Sequence, residues 1–424
     1  MQTIILFALF FLFLFINLPI ALSLGCSALI SIVFMSDLPL QLIAQRFFTT
    51  LDSFPIMAIP LFMLAGQLMN SSGITKRIVN FSDTLVGHIR GGLAQTNILA
   101  SILFSGISGS AAADTSVMGA MLIPAMKKKG YDTDFSVVVT CTSSCIGPII
   151  PPSILFIIYA TITGLSVGQL FIAGIIPGLL VGIGLMIITY IISIKRDYPR
   201  DPKTSVGQKI SAFINTIDAL LMPLIIIGGV LSGVFTATES GAVAVVYAII
   251  VGIVRKEINL TKLFDSIYDA AIMTGVTMII IAAASLFSWL LTVNMFPQQV
   301  ASLLLSISSS KAIITFLLIL LFLIVGLFLD GTSAILILVP VLTPLTAQYG
   351  FDPIHIAMLM VVTLLIGGIT PPVGILLFIA TSIGGIKIKE TLGMLIPYFI
   401  TMVIVALIIA YVPILTTVLP SLFF

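Results

Sequence analysis

Charge is what this chain has least of. Asp, Glu, Lys and Arg make up only 8% of its 424 residues, against about 25% in an ordinary soluble domain. The longest charge-bearing stretch, Lys195 to Lys209, is too short to enclose a core, so no soluble domain is expected anywhere along the sequence. Cysteine is scarce as well: three residues, all in apolar segments, give no sign of a disulfide framework. Cys141 and Cys145 stand four apart with no histidine or further cysteine near them, and they read as small packing residues rather than a metal site. The two histidines, His88 and His355, and the single tryptophan, Trp289, are expected at the membrane interface. No Gly-x-x-x-x-Gly-Lys-Ser/Thr sequence occurs, which excludes ATP hydrolysis by a P-loop. No Ser-His-Asp or His/Asp/Glu grouping suggests an intramembrane enzyme. The opening Met1-Gln2-Thr3 has no basic group and the apolar block runs on to Met35, so no cleavable signal peptide is expected.

What is present is apolar: 59% of the residues, above the roughly 45–50% of soluble domains. The composition is that of an all-α polytopic membrane protein. In the middle of the apolar run from Asp134 to Tyr159 stands Gly147-Pro148-Ile149-Ile150-Pro151-Pro152-Ser153. Paired prolines donate no backbone hydrogen bonds and clash with the preceding turn, so the helix must break there. The same arrangement returns 220 residues later. Gly130-Tyr131-Asp132 maps onto Gly350-Phe351-Asp352, Pro151-Pro152 onto Pro371-Pro372, and Pro124, Gly147 and Pro177 onto Pro344, Gly367 and Pro397. A broken membrane helix at one place in each of two copies points to a secondary transporter with its site between the halves.

The basic residues suggest how the chain is threaded. Residues 3–35 are either one kinked span or two shorter pieces, and 49–69 is the next span. The segment 92–126 is interrupted at Ser105-Gly106-Ile107-Ser108-Gly109-Ser110 and flanked on both sides by basic residues, so it reads as a re-entrant helical hairpin opening to the cytoplasm. Residues 135–162 cross outward and 170–194 return. Spans at 213–231, 234–254 and 267–291 follow, the last ending in an uncharged outer loop near Asn294-Met295-Phe296-Pro297. The segment 313–346, interrupted at Asp330-Gly331-Thr332 and without basic flanks, reads as a second hairpin opening outward. Residues 355–382 cross inward and 392–412 cross out. On this arrangement 16 of the 18 Lys and Arg residues are cytoplasmic, all but Arg46 and Lys311, and the copies 106–177 and 326–397 are inverted relative to each other.

Each break exposes backbone groups that must line a site. The candidate sodium and substrate region of the first copy comprises Ser105, Ser108, Gly109, Ser110 and Asp114 at the hairpin tip, with Gly147, Ile150 and Ser153 at the break. The second copy offers Asp330, Thr332 and Ser333 at its tip and Gly367 and Thr370 at its break. Carbonyls, hydroxyls and one carboxylate per site are oxygen-only chemistry suited to sodium as the coupling ion. Glu239 reads as a helix-start carboxylate, and Asp52 and Asp218 lie near segment ends. No lysine or arginine lies deep in a span, so an anionic substrate must rely on helix ends, hydroxyls and co-bound cations. Arg90 is expected to anchor to headgroups.

Phe62-Met63-Leu64-Ala65-Gly66-Gln67-Leu68-Met69, Gly87-His88-Ile89-Arg90-Gly91-Gly92-Leu93-Ala94, Gly106-Ile107-Ser108-Gly109-Ser110-Ala111 with Ala113-Asp114, Leu122-Ile123-Pro124-Ala125-Met126 and Gly147 to Ser153 together resemble the large membrane subunit of tripartite ATP-independent periplasmic (TRAP) transporters, the DctM-like family. The resemblance covers nearly the whole chain. It implies a sodium-driven symporter of the bacterial or archaeal inner membrane, importing an organic acid such as a C4-dicarboxylate, sialic acid or another sugar acid. It also implies two partners, a small four-helix membrane subunit and a soluble periplasmic solute-binding protein, and an elevator mechanism in which hairpins and broken helices travel against a fixed scaffold. The implied division is scaffold and arm helices over 1–91, transport-domain repeats over 92–177 and 301–397, scaffold helices and connecting elements over 178–300, and a last membrane segment over 398–424. A stand-alone ion-coupled carboxylate carrier or antiporter, needing no binding protein, is the alternative.

Overall fold

Proline and glycine set the ends of the helices. A computed structural model describes the chain except at residues 1, 17, 36–38, 309, 372 and 373, and gives backbone alone at 35, 107, 108, 301 and 304–307. Among the described residues there is no β-strand. The first apolar block is two helices, α1 (Gln2–Phe15) and α2 (Ile20–Met35), packed on each other, so the kinked single span is set aside. After α3 (Gln41–Leu51) a 3-10 turn over Phe54–Met57 leads into α4 (Ala58–Ser71). The span expected to begin at Thr49 therefore begins at Phe54. Pro55 sits in the first turn of the new segment, where its missing N–H would be unpaired anyway. The amphipathic α5 (Ile74–Val86) buries Ile74, Ile78 and Val79.

Then come α6 (Gly92–Ser108) and α7 (Ala111–Lys128), joined at Gly109-Ser110, and α8 (Thr133–Ser143), which a 3-10 turn extends to Ile146. The chain breaks over 147–153 and resumes as α9 (Ile154–Thr163), followed by α10 (Val167–Lys195). The second half runs α11 (Val206–Leu231), α12 (Ala237–Val254), α13 (Leu260–Val293), α14 (Phe296–Ile307), α15 (Lys311–Phe328), α16 (Gly331–Gln348), α17 (Pro353–Gly367), α18 (Ile375–Gly384), α19 (Ile388–Tyr411) and α20 (Ile414–Phe423). Of the outer loop expected near Asn294-Met295-Phe296-Pro297, Asn294 and Met295 form the turn and Phe296 and Pro297 already open α14. Among the described residues eight helices are long and apolar enough to cross a membrane: the one starting at Phe54, α10 to α13, α15, α16 and α19. The chain is a multi-pass membrane protein.

The repeat is longer than its motifs. Adding 220 to the bounds of α7 gives 331–348, those of α16, and adding it to α6 gives 312–328 against Lys311–Phe328 for α15. The extended α8, α9 and the start of α10 map as closely onto α17, α18 and α19. Further upstream α2 maps onto α12, α3 and α4 together onto α13, and α5 onto α14. Pro55, where the first copy is interrupted, corresponds to Gly275 inside the continuous α13. Packing is reciprocal: α9 lies on α16 as α18 lies on α7, and α8 lies on α19 as α17 lies on α10. At the centre the Cys145 thiol points at the carbonyl of Leu365, its own counterpart, 3.5 Å away. Phe135, Phe156, Phe322 and Tyr398 are among the largest fully buried side chains.

Candidate functional site

The turn between α6 and α7 depends on Gly109. Its φ of +61° favours glycine, and a Cβ there would stand 2.8 Å from the Pro152 carbonyl oxygen. The first hairpin turn therefore lies directly against the first break. Ser110 caps α7, its Oγ accepting from the Ala113 N–H at 3.4 Å. At the equivalent place in the second copy Asp330 caps α16: Oδ2 accepts from the N–H groups of Thr332 and Ser333 at 3.0 and 3.3 Å, and Oδ1 accepts from the Ser333 hydroxyl at 2.6 Å. Ser153 caps α9 and donates its hydroxyl to the Pro148 carbonyl, closing the first break on itself. The second break closes through the Leu376 N–H, which donates to the Gly368 carbonyl at 3.1 Å, while the Thr370 hydroxyl donates back to Ile366 at 2.7 Å.

These turns and breaks meet around one cavity of about 330 Å³. Its wall includes the first turns of α7, α9, α16 and α18: Ser110 to Ala112, Ile154 and Leu155, Gly331 and Thr332, Ile375 and Leu376. Four helix N-termini put four positive dipole ends around the space. Asp330 is the one charged side chain among the described residues that line it. The opposite wall is Met63 of α4 with Ile272, Met273, Val276 and Thr277 of α13.

Of the residues expected here, Gly109, Ser110, Asp330 and Thr332 line the cavity. Asp114 does not; its carboxylate is fully buried behind the turn and rests on the Cα of Gly147, so close that a Cβ on Gly147 would stand 2.1 Å from Oδ2. Ser105 is buried with its hydroxyl donating to the Ile102 carbonyl at 2.6 Å. Ser333 is buried beside Asp330, Gly367 lies against the backbone of Gly326, and the Ile150 side chain packs over Gly178. The Ser108 side chain and Pro372 lie outside the described residues. The two acids are not repeat mates, since Asp114 maps onto Ala334 and Asp330 onto Ser110. No group of three His, Cys, Asp or Glu side chains occurs among the described residues; the donors present are hydroxyl, carbonyl and single carboxylate oxygens.

Sequence reasoning missed the α4 and α13 wall. A smaller adjoining pocket is lined by Gln67 and Asn70, two polar residues three apart on an apolar helix, and that spacing was a usable signal. Gln67 reaches across to the Met273 sulfur at 3.2 Å.

Other polar residues take structural places. Glu239 completes a capping box with Thr236, its Oε2 accepting from the Thr236 N–H at 2.8 Å. Asp218 pairs with Arg255 at 2.8 Å. His355, expected at the interface, is buried instead; its ring meets the Thr416 hydroxyl at 2.9 Å and the Ala410 carbonyl at 3.2 Å. Arg90, expected among headgroups, pairs with Asp197. That pair belongs to a clasp holding the 196–201 linker to the base of the first copy, with Lys129–Asp201 at 2.6 Å and Arg196 on Asp132 and Asp134 at 2.7 and 3.1 Å. Within the clasp the Tyr131 phenol donates to the Pro199 carbonyl at 3.3 Å, and burial pushes its pKa up to about 12.

Comparison with known proteins covers nearly the whole chain. Residues 7–415 match the family described as tripartite ATP-independent periplasmic transporter, DctM component. An uncharacterized protein, YgiK, of Salmonella typhimurium is 38% identical over 99% of this chain and 97% of its own length. The sialic acid TRAP transporter large permease protein SiaM of Vibrio cholerae is 37% identical over 97% and 96%. The C4-dicarboxylate TRAP transporter large permease protein DctM of Pseudomonas aeruginosa is 36% identical over 94% of each chain. The crystal structure of the Alcanivorax borkumensis YdaH transporter superposes with a TM-score of 0.64 at 14% identity, covering 97% of this chain and 98% of that one, a likeness of fold.

Proposed function

The chain belongs to the DctM component family of tripartite ATP-independent periplasmic transporters, and from that premise we propose that it imports an organic acid, driven by sodium and delivered by a periplasmic binding protein. Its role as a secondary transporter of the inner membrane, and not as an enzyme, follows from the family. The carrying observation for the substrate class is the cavity where four helix N-termini converge. Positive dipole ends at helix starts receive carboxylate oxygens without any lysine or arginine. Relatives named for sialic acid and C4-dicarboxylates, both organic acids, support the same class.

Sodium fits the donors. Asp114 behind the first turn, Asp330 at the second, and the hydroxyls of Ser110 and Thr332 with the carbonyls of both breaks are hard oxygen ligands, the set a small alkali cation takes. Two co-bound cations would offset the charge of the acid and of these carboxylates in a site without arginine. Inverted orientation of the copies is supported by their reciprocal packing and by the distribution of basic residues. An elevator movement is supported by the mainly apolar wall between cavity and scaffold, lined by Met63, Ile272, Met273 and Val276. The family's tripartite character supports the two partners, a small four-helix membrane subunit and a soluble periplasmic binding protein.

Proteoliposome uptake tests the reading. With the small subunit co-reconstituted, accumulation of labelled succinate or N-acetylneuraminate should require both an inward sodium gradient and the cognate binding protein. Saturable uptake without the binding protein contradicts the tripartite part, and uptake indifferent to sodium contradicts the coupling.

A further inference from the structure

We propose that a second cavity, at the outer end of the same interface, is a subsite for the carboxylate of the incoming acid, with Arg46 as the group that receives it. The proposal takes its sidedness from the transport reading. The cavity, about 520 Å³, lies between α3 and α13 on one side and α9 and α16 on the other. Arg46 is the one charged side chain among the described residues that line it, and the hydroxyls of Thr49, Thr161, Ser285 and Thr292 stand in the same wall. Among the described residues Arg46 forms no ion pair; its guanidinium lies over the Trp289 ring, 5.1 Å from the centroid. No carboxylate of the chain occupies its fork among the described residues, and a carboxylate ligand can accept two guanidinium N–H groups in parallel.

The position of the cavity favours the transported acid as occupant. On α9 the inner cavity ends at Leu155 and the outer begins at Ile158; on α13 the step is from Thr277 to Ile281, and on α16 from Thr332 to Leu336. Each step is one helical turn, roughly 5 Å. The two spaces are therefore in line along one interface, one turn apart on each of the three helices. A cationic, hydroxyl-lined space in front of a site lined by no basic side chain concentrates the anion where it must pass. A lipid phosphate shares the anionic chemistry, and the test separates the two.

Trp289 is the only tryptophan of the chain, so its fluorescence reports on Arg46 directly. In the full chain reconstituted in phosphatidylcholine nanodiscs, titration with acetate, succinate or N-acetylneuraminate should give a saturable change with at least one of them. Arg46→Gln should weaken that response by about tenfold or more, the effect of losing one charge-assisted pair, and Arg46→Lys, which keeps the charge and loses the fork, should fall between. In uptake Arg46→Gln should raise the apparent KM with little change in the rate at saturation. No response to any of the three acids, or an equal response in Arg46→Gln, overturns the proposal. So does a response that appears only on adding phosphatidylglycerol, which assigns the site to lipid. Sodium-driven uptake unaltered in Arg46→Gln would remove the outer subsite and leave the transport reading standing; absence of uptake beside an intact fluorescence response would do the reverse.

Discussion

Gly147→Ala adds one methyl group where a carboxylate already rests. The new Cβ would stand 2.1 Å from Asp114 Oδ2 and 3.3 Å from the Ser144 carbonyl oxygen. The second contact is tolerable; the first requires the carboxylate to retreat by roughly 1 Å to reach ordinary van der Waals distance. Asp114 is a short side chain on α7, fully buried, so it swings rather than dragging the helix, at an overpacking cost of about 1–3 kcal/mol. If that carboxylate is a sodium ligand, a displacement of this size is enough to lose the coordination distance, and the sodium concentration for half-maximal uptake should rise by about tenfold or more. The repeat mate supplies the control. In Gly367→Ala the Cβ would meet the backbone of Gly326 at 2.5 Å, which no rotamer relieves; α15 and α17 must separate, and the protein should lose thermal stability or fail to accumulate. Sodium activation of uptake and thermal unfolding, measured on both variants, separate the two effects. A Gly147→Ala transporter with an unchanged sodium curve refutes the assignment of Asp114.

Three further outcomes follow from local geometry. Pro340 has no N–H to give the Leu336 carbonyl one turn back, and the Ser288 hydroxyl of α13 donates to it instead at 2.6 Å. Ser288→Ala should destabilise this arrangement of α13 on α16 by about 1–3 kcal/mol, and an unchanged Tm contradicts that. Arg77 lies 2.9 Å from Glu257 and 3.9 Å from Asp218 and is largely buried; Arg77→Ala should lower stability by about 1–2 kcal/mol, read by thermal unfolding at low and high salt. The Tyr131 phenol stays neutral in the fold above the pH at which an unfolded phenol ionises, so its contribution is full below pH 10 and is lost as pH rises toward about 12. Tyr131→Phe should flatten that part of the alkaline stability profile, and an identical profile would show that other groups carry it.

Breaks were legible because proline and glycine act through the backbone alone. Gly109 and the Pro151-Pro152 pair interrupt helices whatever packs around them, and the 220-residue offset of such residues carried the repeat. Amphipathic α5 and α14 were not legible, because in a mostly apolar chain a few polar residues at helical spacing resemble a loop. Nor was the far wall of the cavity: Met63, Met273 and Thr277 come together only through the packing of α4 and α13, and no local pattern marks a methionine that faces a site rather than lipid. Acids were half legible. Asp114 was expected on the wall of the site from its place after the hairpin tip, and it is buried behind the turn instead, whereas the capping bonds of Asp330 depend on the turn geometry that follows it. His355 was misjudged because its partners, Ala410 and Thr416, are some 60 residues away.

The two ends most directly comparable are Lys128 and Gln348, repeat mates and each the exposed last residue of its helix, α7 and α16. With Cys26, Cys141 and Cys145 replaced by serine or alanine, Lys128→Cys and Gln348→Cys are each treated in intact cells with a membrane-impermeant maleimide. Halves of opposite orientation require that Gln348→Cys label from outside and that Lys128→Cys label only after the cells are opened. Labelling of both from one side contradicts the account.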